Sequence, residues 1–163
     1  RGGKTSLGAG ATDPRFALVI SNNSGNAGAA LFRAKGGESI AGSRVNFPHW
    51  YTGNTYKLPG NETVEELPFD QHQLIALMAP RPVYVASAAE DAWADPEGEF
   101  LSCLYASPVW ELWGRKGLSV EQQPPLDRPA TDGYVAYHIR SGGHDLTPTD
   151  WHWYMDFADK RLK

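Results

Sequence analysis

Residues 83–91 read VYVASAAED, a nearly continuous apolar run that ends in a polar loop carrying Glu90 and Asp91. A short apolar run of this kind predicts a strand buried on both faces, as in a parallel sheet covered by helices. Residues 16–21 and 134–139 have the same character. We therefore expect three strands of a buried parallel sheet, each followed by a polar loop.

Helices are expected between these strands, which gives the alternating order of the α/β class. In that class, functional groups gather at the carboxyl ends of the parallel strands. The segments that we assign as helical or irregular follow from apolar periodicity, capping residues and prolines. The first helix is expected to start within residues 1–7. Further helices are expected at 29–34, 38–45, 68–78, 97–113, with a break near Pro108, and 149–162. The segment 47–66 is expected to be irregular and is rich in aromatic residues.

Individual residues in these helices have predicted positions. Asp70 and Asp95 are expected to cap the helices that follow them. The residues expected to face inward are Leu74, Leu77 and Met78 in one helix and Trp153, Phe157 and Leu162 in the last.

The composition is that of a soluble globular protein, because 41% of the 163 residues are hydrophobic, 21% are charged and the net charge is −4. No apolar run is long enough to span a membrane, and the mild acidity gives no reason to expect nucleic acid. The single cysteine, Cys103, excludes an intrachain disulfide and is expected to be a buried thiol. The histidines lack metal-ligand spacing, so neither a metal nor another cofactor is predicted. His72 and His152 are interpreted as residues of helix surfaces, and His138, within a strand, as structural.

The stretch Arg1-Gly2-Gly3-Lys4 is interpreted as the second half of a nucleophile elbow, G-x-S-x-G. On this interpretation the serine immediately precedes Arg1, and Gly3 is the last glycine of the turn. Residues 1–163 are then expected to be the C-terminal part of a single catalytic domain. Its upstream part would carry the nucleophile.

The polar loops complete the elements of a catalytic triad. Glu90 and Asp91 follow the strand at 83–87, and His144 follows the strand at 134–139. The order elbow, acid, histidine is that of the α/β-hydrolases, so we predict the C-terminal half of a three-layer α/β-hydrolase sandwich with a mainly parallel sheet. A serine needs an imidazole base, and the imidazole needs a carboxylate to fix its tautomer. The backbone N–H of Arg1 would donate to the oxyanion.

Several stretches together carry a family resemblance, and they cover nearly the whole chain. They read RGGKTSLGAGATDPRFALVISNNSG, NFPHWY, PFDQHQLIALMAPRPVYVASAAEDAWADPEGEF, ASPVW and YHIRSGGHDLTPTDW. In these stretches the chain resembles the glucuronoyl esterases of carbohydrate esterase family 15, in particular their bacterial branch. The resemblance implies a metal-free serine esterase, secreted or periplasmic, that cleaves esters between 4-O-methylglucuronic acid on xylan and alcohols of lignin.

The resemblance also implies roles for individual residues. Arg1 would add its guanidinium to the oxyanion site, and Lys4 would bind hydroxyls of the glucuronoyl ring. Glu38 would accept from a sugar hydroxyl, and Trp93 would line the sugar site. His144 would be the base.

The chain departs from the family pattern at one position. Some members, notably fungal ones, have a glutamate before Ser-Gly, where this chain has Asn23. An asparagine cannot supply the negative charge, so we expect Asp91 to be the catalytic acid, with Glu90 as the alternative. Asn23 is still expected to hydrogen-bond near the histidine.

Two other functions remain open at this level. One is a different carbohydrate esterase, for example an acetyl xylan esterase. The other is a non-catalytic, sugar-binding fragment, because none of the serines of residues 1–163 lies in an elbow. Arg1 and Lys4 favour an acidic or heavily hydroxylated acyl group.

Overall fold

The computed structural model describes residues 1–34, 36–55 and 61–163. In these residues a parallel sheet of three strands has the order β1-β2-β3. The register aligns Val19 of β1 with Val83 of β2, and Val83 with Val135 of β3. The predicted parallel sheet of an α/β protein is therefore confirmed. The strands are β1 (Val19–Asn22), β2 (Val83–Ala88) and β3 (Val135–Arg140).

β1 is shorter than predicted, because pairing begins at Val19 and not near residue 16. Val19 donates its backbone N–H to the carbonyl of Pro82 at 3.2 Å, and β2 starts at the next residue. Pro82 has no N–H with which to extend the ladder. Phe16 lies before the strand and is 47% exposed.

The helices follow the predicted order with changed bounds. α1 begins at Gly2, as expected, and the predicted break near Pro108 separates α4 from α5. The segment 29–34 forms only a 3₁₀ turn, and part of the irregular segment 47–66 lies outside the described residues. The helices are α1 (Gly2–Thr12), α2 (Ile40–Asn46), α3 (Gln71–Ala76), α4 (Pro96–Ala106), α5 (Pro108–Glu111) and α6 (Pro148–Arg161), with 3₁₀ turns at Phe32–Ala34, Pro48–Trp50, Asn61–Glu66 and Ala92–Ala94.

Both predicted caps are present. The Asp70 carboxylate accepts a hydrogen bond from the backbone N–H of Gln71, and the backbone N–H of Asp70 donates to the side-chain oxygen of Gln73. The Asp95 carboxylate accepts from the N–H of Gly98 at 3.1 Å. These bonds satisfy N–H groups that have no partner within the helix.

Two predictions of inward-facing residues are wrong. Leu77 is 61% exposed, whereas its neighbour Met78 is fully buried. Adjacent residues point about 100° apart around a helix, so a narrow apolar face cannot contain both. Leu162 follows the last turn of α6 and is 51% exposed, while Phe157 of the same helix is buried.

The sheet separates two apolar layers. Val83 and Val85 face a core that includes Leu7 of α1 and Phe100 of α4. On the opposite face, Tyr84 and Ala86 pack with Tyr154 and Phe157 of α6. Helices thus cover both faces, as the sequence predicts. Cys103 lies in the first layer, and burial raises the pKa of its thiol.

The loops after the strands meet at one edge of the sheet. The N–H of Ala89 donates to the carbonyl of Arg140 at 2.8 Å, and the N–H of Glu90 donates to that of Gly142 at 3.0 Å. The loop that follows β2 is therefore bonded to the loop that follows β3. These are the two loops expected to carry the acid and the base.

Candidate active site

The two loops bring His144 and Asp91 together. Oδ2 of Asp91 lies 2.6 Å from Nδ1 of His144. The carboxylate side chain is only 6% exposed, whereas the imidazole is 68% exposed. A carboxylate at this nitrogen favours the tautomer with the proton on Nδ1, which leaves the lone pair of Nε2 available as a base.

Glu90 is exposed, and its backbone N–H donates to the carbonyl of Gly142 in the histidine loop. The geometry thus gives Asp91, rather than Glu90, the position of a histidine-orienting acid. The catalytic role of either carboxylate stays a prediction.

The first turn of α1 lies directly against the end of β1. A Cβ atom on Gly3 would come within 2.8 Å of the carbonyl oxygen of Asn22, so glycine alone fits there. This close approach is what an elbow glycine provides. It places the positive end of the helix dipole at the edge where the strand loops meet. Arg1 precedes this helix and shares two cavities with His144.

The smaller of these cavities contains the predicted sugar-binding residues. Its volume is about 200 Å³, and its lining includes Lys4, Glu38 and Trp93. Nζ of Lys4 lies 3.4 Å from Oε2 of Glu38 and donates to the carbonyl of Ser24. The Glu38 side chain is 4% exposed, so the carboxylate of this ion pair is almost completely shielded from solvent. Trp93 is 56% exposed and presents an aromatic surface at the rim.

Trp50 also lines this cavity, although it was not predicted as a site residue. The guanidinium carbon of Arg1 lies 5.3 Å from the centroid of its indole ring, and Nζ of Lys4 lies 5.9 Å from it. Phe47 stacks on the indole with centroids 4.0 Å apart and an interplanar angle of 5°. Cations at these distances are attracted by the face of an aromatic ring. The available signal was the aromatic stretch NFPHWY.

A buried glutamate supports the loop after β1, and it too was missed. Oε1 of Glu99 accepts from the N–H of Ser24 at 2.7 Å, from its hydroxyl at 3.0 Å and from the N–H of Gly25 at 3.0 Å. Oε2 accepts from the Ser87 hydroxyl at 2.6 Å. Complete burial raises the pKa of Glu99 to about 7, although these hydrogen bonds favour the carboxylate. The loop fixed in this way provides the carbonyl that binds Lys4.

Asn23 occupies the position where the fungal enzymes are expected to carry an acid. Its Nδ2 donates to the carbonyl of Asp145, the residue after His144, at 3.4 Å. Its φ of 42° is in the left-handed region, which asparagine tolerates better than most residues. Asn23 therefore lies against the histidine loop, as expected.

The remaining histidines contribute differently. His138 is fully buried in β3, in agreement with a structural role, and His152 is exposed on α6. His72 is only partly exposed in α3, so it agrees only in part with the prediction of a surface residue. Within the described ranges, no group of three or more His, Cys, Asp or Glu side chains could hold a metal. In the same residues, no helix is both long and apolar enough to cross a membrane.

Comparison with known proteins relates this geometry to a family. The family described as "Glucuronyl esterase, fungi" matches residues 1–114. "Carbohydrate esterase MZ0003", from an unknown prokaryotic organism, is 47% identical over 98% of the chain, which spans 36% of that protein. A "4-O-methyl-glucuronoyl methylesterase 1" from Sodiomyces alcalophilus is 33% identical over 70% of the chain, and the match spans 24% of that enzyme.

A solved structure gives the same result at the level of the fold. A CE15 esterase from a marine bacterial metagenome superposes with a TM-score of 0.93 and 46% identity over 98% of the chain, which corresponds to 39% of that protein. The chain thus spans less than two-fifths of the length of these relatives. Its strands, helices and loops have the arrangement found in an α/β-hydrolase esterase.

Proposed function

The chain belongs to the glucuronoyl esterases of carbohydrate esterase family 15, and we propose that the complete polypeptide hydrolyses glucuronoyl esters by a serine mechanism. The substrate would be the ester that joins glucuronic acid or 4-O-methylglucuronic acid on xylan to an alcohol of lignin. The names of the fungal relatives, which are methylesterases of 4-O-methyl-glucuronoyl groups, support the acyl part.

The observation that carries this proposal is the pairing of Asp91 with His144 at 2.6 Å. It orients the imidazole so that Nε2 is available as a base. Both cavities that His144 lines also include Arg1, at the start of α1. A nucleophile at this helix start would lie beside both the base and the oxyanion donors.

We assign that nucleophile to a serine immediately before Arg1 in the complete polypeptide. Residues 1–163 would be the C-terminal part of a single α/β-hydrolase catalytic domain, and the upstream part of the same chain would supply the serine. The close contact of Gly3 with Asn22 supports this assignment, because an elbow requires such an approach.

The reaction would proceed through an acyl-enzyme. Nε2 of His144 would take the serine proton as the hydroxyl oxygen attacks the ester carbonyl, and it would return that proton to the departing alcohol. His144 would then deprotonate a water, which attacks the acyl-enzyme and releases the uronic acid and the serine. The N–H and guanidinium of Arg1 would stabilise the oxyanion in both steps, where negative charge develops.

The smaller cavity would hold the sugar ring. Lys4 would donate to ring hydroxyls, Glu38 would accept from one, and Trp93 would cover an apolar face of the ring. An aromatic wall with a few fixed polar groups is a usual arrangement for the binding site of a small molecule. The mechanism invokes no cofactor. Because xylan linked to lignin is an extracellular polymer, we propose that the enzyme is secreted or periplasmic.

The test is hydrolysis of methyl 4-O-methylglucuronate by the complete polypeptide and its His144→Ala variant. We expect the variant to lose turnover by about three to four orders of magnitude. Its melting temperature should fall by only a few degrees, because one hydrogen bond is lost and the imidazole is 68% exposed. His152→Ala, an exposed histidine on α6, is the matched control and should keep full activity. Full activity in His144→Ala would contradict the assignment of His144 as the catalytic base.

An acetylated xylose assayed in parallel separates this function from that of an acetyl xylan esterase. The ion pair between Lys4 and Glu38 favours the uronate ester, since an acetyl group has no hydroxyls to bind. A higher kcat/KM for the acetylated sugar would overturn the substrate assignment and leave the hydrolase mechanism in place.

A further inference from the structure

We propose that Arg140, held by Asp150, is a positioning residue for the base His144, an inference that rests on the proposed function. Arg140 is the last residue of β3, and its side chain is 5% exposed. It lines neither of the two cavities that His144 shares with Arg1. Its action would be exerted through the loop that carries the imidazole.

The guanidinium binds this loop from beneath through three backbone carbonyls. Nη1 donates to the carbonyl of Ser141 at 2.9 Å. Nη2 donates to the carbonyls of Gly143 and Asp145 at 2.9 and 2.8 Å. Gly143 and Asp145 flank His144 in the chain, so the Arg140 guanidinium holds the backbone on both sides of the base. Charge-assisted bonds from a planar guanidinium have fixed directions and therefore define the loop geometry.

A buried carboxylate fixes the guanidinium in turn. Nε of Arg140 donates to Oδ2 of Asp150 at 3.1 Å. Asp150 is fully buried in α6, where the N–H and hydroxyl of Thr147 also donate to it, at 2.6 and 2.7 Å. Its other oxygen lies 2.9 Å from Nε2 of His138 in β3. The loop is thus tied to both a strand and a helix of the rigid core.

The loop needs such support because its own sequence supplies little stiffness. It contains two consecutive glycines, and Gly142 has a φ of 89°. The His144 imidazole is mostly exposed, and its hydrogen bond to Asp91 restrains the ring more than the backbone. A displacement of about 1 Å between reacting groups can cost about 100-fold in rate. Loss of these three hydrogen bonds from Arg140 should therefore reduce turnover without removing any group that touches the substrate.

Arg81 offers a matched control at the opposite edge of the sheet. Its guanidinium also donates to three backbone carbonyls, those of Gly10, Asp13 and Phe16, at 2.7, 3.2 and 2.9 Å. Removing it deletes a comparable set of bonds far from His144. A purely structural role for Arg140 would give the two substitutions the same effect on kcat, although Arg140 also loses its ion pair with Asp150.

The experiment compares Arg140→Met, Arg140→Lys and Arg81→Met in the complete polypeptide, well below the melting temperature of each variant. For methyl 4-O-methylglucuronate we expect Arg140→Met to lower kcat about 100-fold and to change KM less than about twofold, because the sugar-binding residues are untouched. Arg140→Lys should recover part of kcat, since one ammonium can satisfy some of the carbonyls. Arg81→Met should keep the wild-type kcat even if its melting temperature falls.

Either of two results would overturn the inference: an unchanged kcat in Arg140→Met, or an equal loss of kcat in Arg81→Met. If Arg140→Met does not fold, the kcat values of Arg140→Lys and Arg81→Lys provide the same comparison.

Amide hydrogen exchange at residues 141–145 gives a readout that needs no activity. We expect faster exchange there in Arg140→Lys and wild-type exchange in Arg81→Lys; unchanged exchange in both would contradict the inference. A wild-type enzyme that lacks esterase activity would instead reject the proposed function, and hydrogen exchange would still test Arg140.

Discussion

Aspartate pairs with histidine in two places in the described part of the chain, and the two pairs have opposite surroundings. Asp91 and His144 lie in loops at the carboxyl edge of the sheet, 2.6 Å apart, with the imidazole 68% exposed. Asp150 and His138 lie between β3 and α6, 2.9 Å apart, with both side chains fully buried. The same two residue types therefore form a candidate catalytic pair and a structural pair.

The buried pair has every polar atom committed to a partner inside the protein. The ionised carboxylate of Asp150 can only accept, so the neutral ring of His138 carries its proton on Nε2 and donates it to Asp150. Nδ1 then accepts from the Tyr84 hydroxyl, 2.9 Å away. Burial lowers the pKa of His138, and the bond to Asp150 only partly offsets this effect. The ring has no nitrogen left for a substrate.

The exposed pair has the opposite tautomer and a free acceptor. Asp91 bonds to Nδ1 of His144, and no described residue forms a hydrogen bond with Nε2. A histidine becomes a usable base when one nitrogen is fixed by a carboxylate and the other opens into a cavity. Exposure of the second nitrogen, more than the presence of a carboxylate, therefore distinguishes these two pairs.

Removing the charge from the exposed pair should have the largest effect on activity. Asp91→Asn in the complete polypeptide is expected to lower kcat by about 10⁴-fold, because the amide favours the wrong imidazole tautomer. The free energy of unfolding should change by only about 1 kcal/mol, the value of one hydrogen bond. Steady-state kinetics and chemical denaturation of the same preparation measure both quantities.

Glu90→Gln is the matched control for this variant, since Glu90 is the adjacent, exposed carboxylate. It should retain wild-type kcat. A larger loss of kcat in Glu90→Gln than in Asp91→Asn would reverse the assignment of the acid.

Removing the charge from the buried pair should instead reduce stability. Burial alone would raise the pKa of Asp150, but hydrogen bonds from His138 and Thr147 and the charge of Arg140 outweigh it and lower the pKa to about 2. Asp150→Asn leaves the guanidinium of Arg140 buried without its counter-charge. We expect a loss of about 3–5 kcal/mol in the free energy of unfolding, measured by urea denaturation.

Asp156→Asn, an exposed aspartate on the same helix, is the control and should be neutral within about 0.5 kcal/mol. If Asp150→Asn were as stable as the wild type, the buried pair would not be a structural element, and the contrast between the two pairs would fail.

The sequence predicted the parts of the fold that depend on local patterns. The apolar run at 83–87 gave β2 almost residue for residue, and Asp70 and Asp95 cap helices where expected. The loops of Asp91 and His144 were expected to meet because the carboxyl ends of parallel strands share one edge. Helix ends were less accurate, and Leu77 and Leu162 were placed inside although both are exposed.

Two of the missed residues, Glu99 and Trp50, act through contacts between distant segments, whereas the guanidinium of Arg140 binds residues within ten positions of it. Arg140, Glu99 and Trp50 are ordinary residues of a strand end, a helix and an aromatic stretch until the chain folds. Glu99 bonds Ser24, which is 75 positions away, and no periodicity encodes such a pair. Asp150 had one local signal, since Thr147 and Asp150 have the spacing of a capping box and form one. That signal indicates the start of a helix but not the ion pair with Arg140.

Glu99 is a buried carboxylate whose described hydrogen-bond donors are hydroxyls and backbone amides. Unlike Asp150, it has neither a histidine nor an arginine among these donors. Its folded pKa, about 7, lies above its unfolded value of 4.5, so the folded state holds a proton that the unfolded state has lost between these pH values. The stabilisation is complete below pH 4.5 and disappears as the pH rises through 7. His138 has the opposite sign, because its pKa is lowered, and it destabilises the fold as the pH falls below 6.5.

Because His138 is common to both proteins, the difference in stability between wild type and Glu99→Gln isolates the glutamate. We expect the wild type to lose up to about 3 kcal/mol relative to Glu99→Gln between pH 4.5 and 7.5, with urea denaturation at each pH as the measurement. Glu97→Gln, an exposed residue on the same helix, should track the wild type throughout. A difference that stays constant with pH would mean that Glu99 has the same pKa, 4.5, in the folded and unfolded states. Its four hydrogen bonds would then fully offset the effect of burial without a counter-charge, and a histidine or arginine partner would not be required to keep a carboxylate charged at neutral pH in this core.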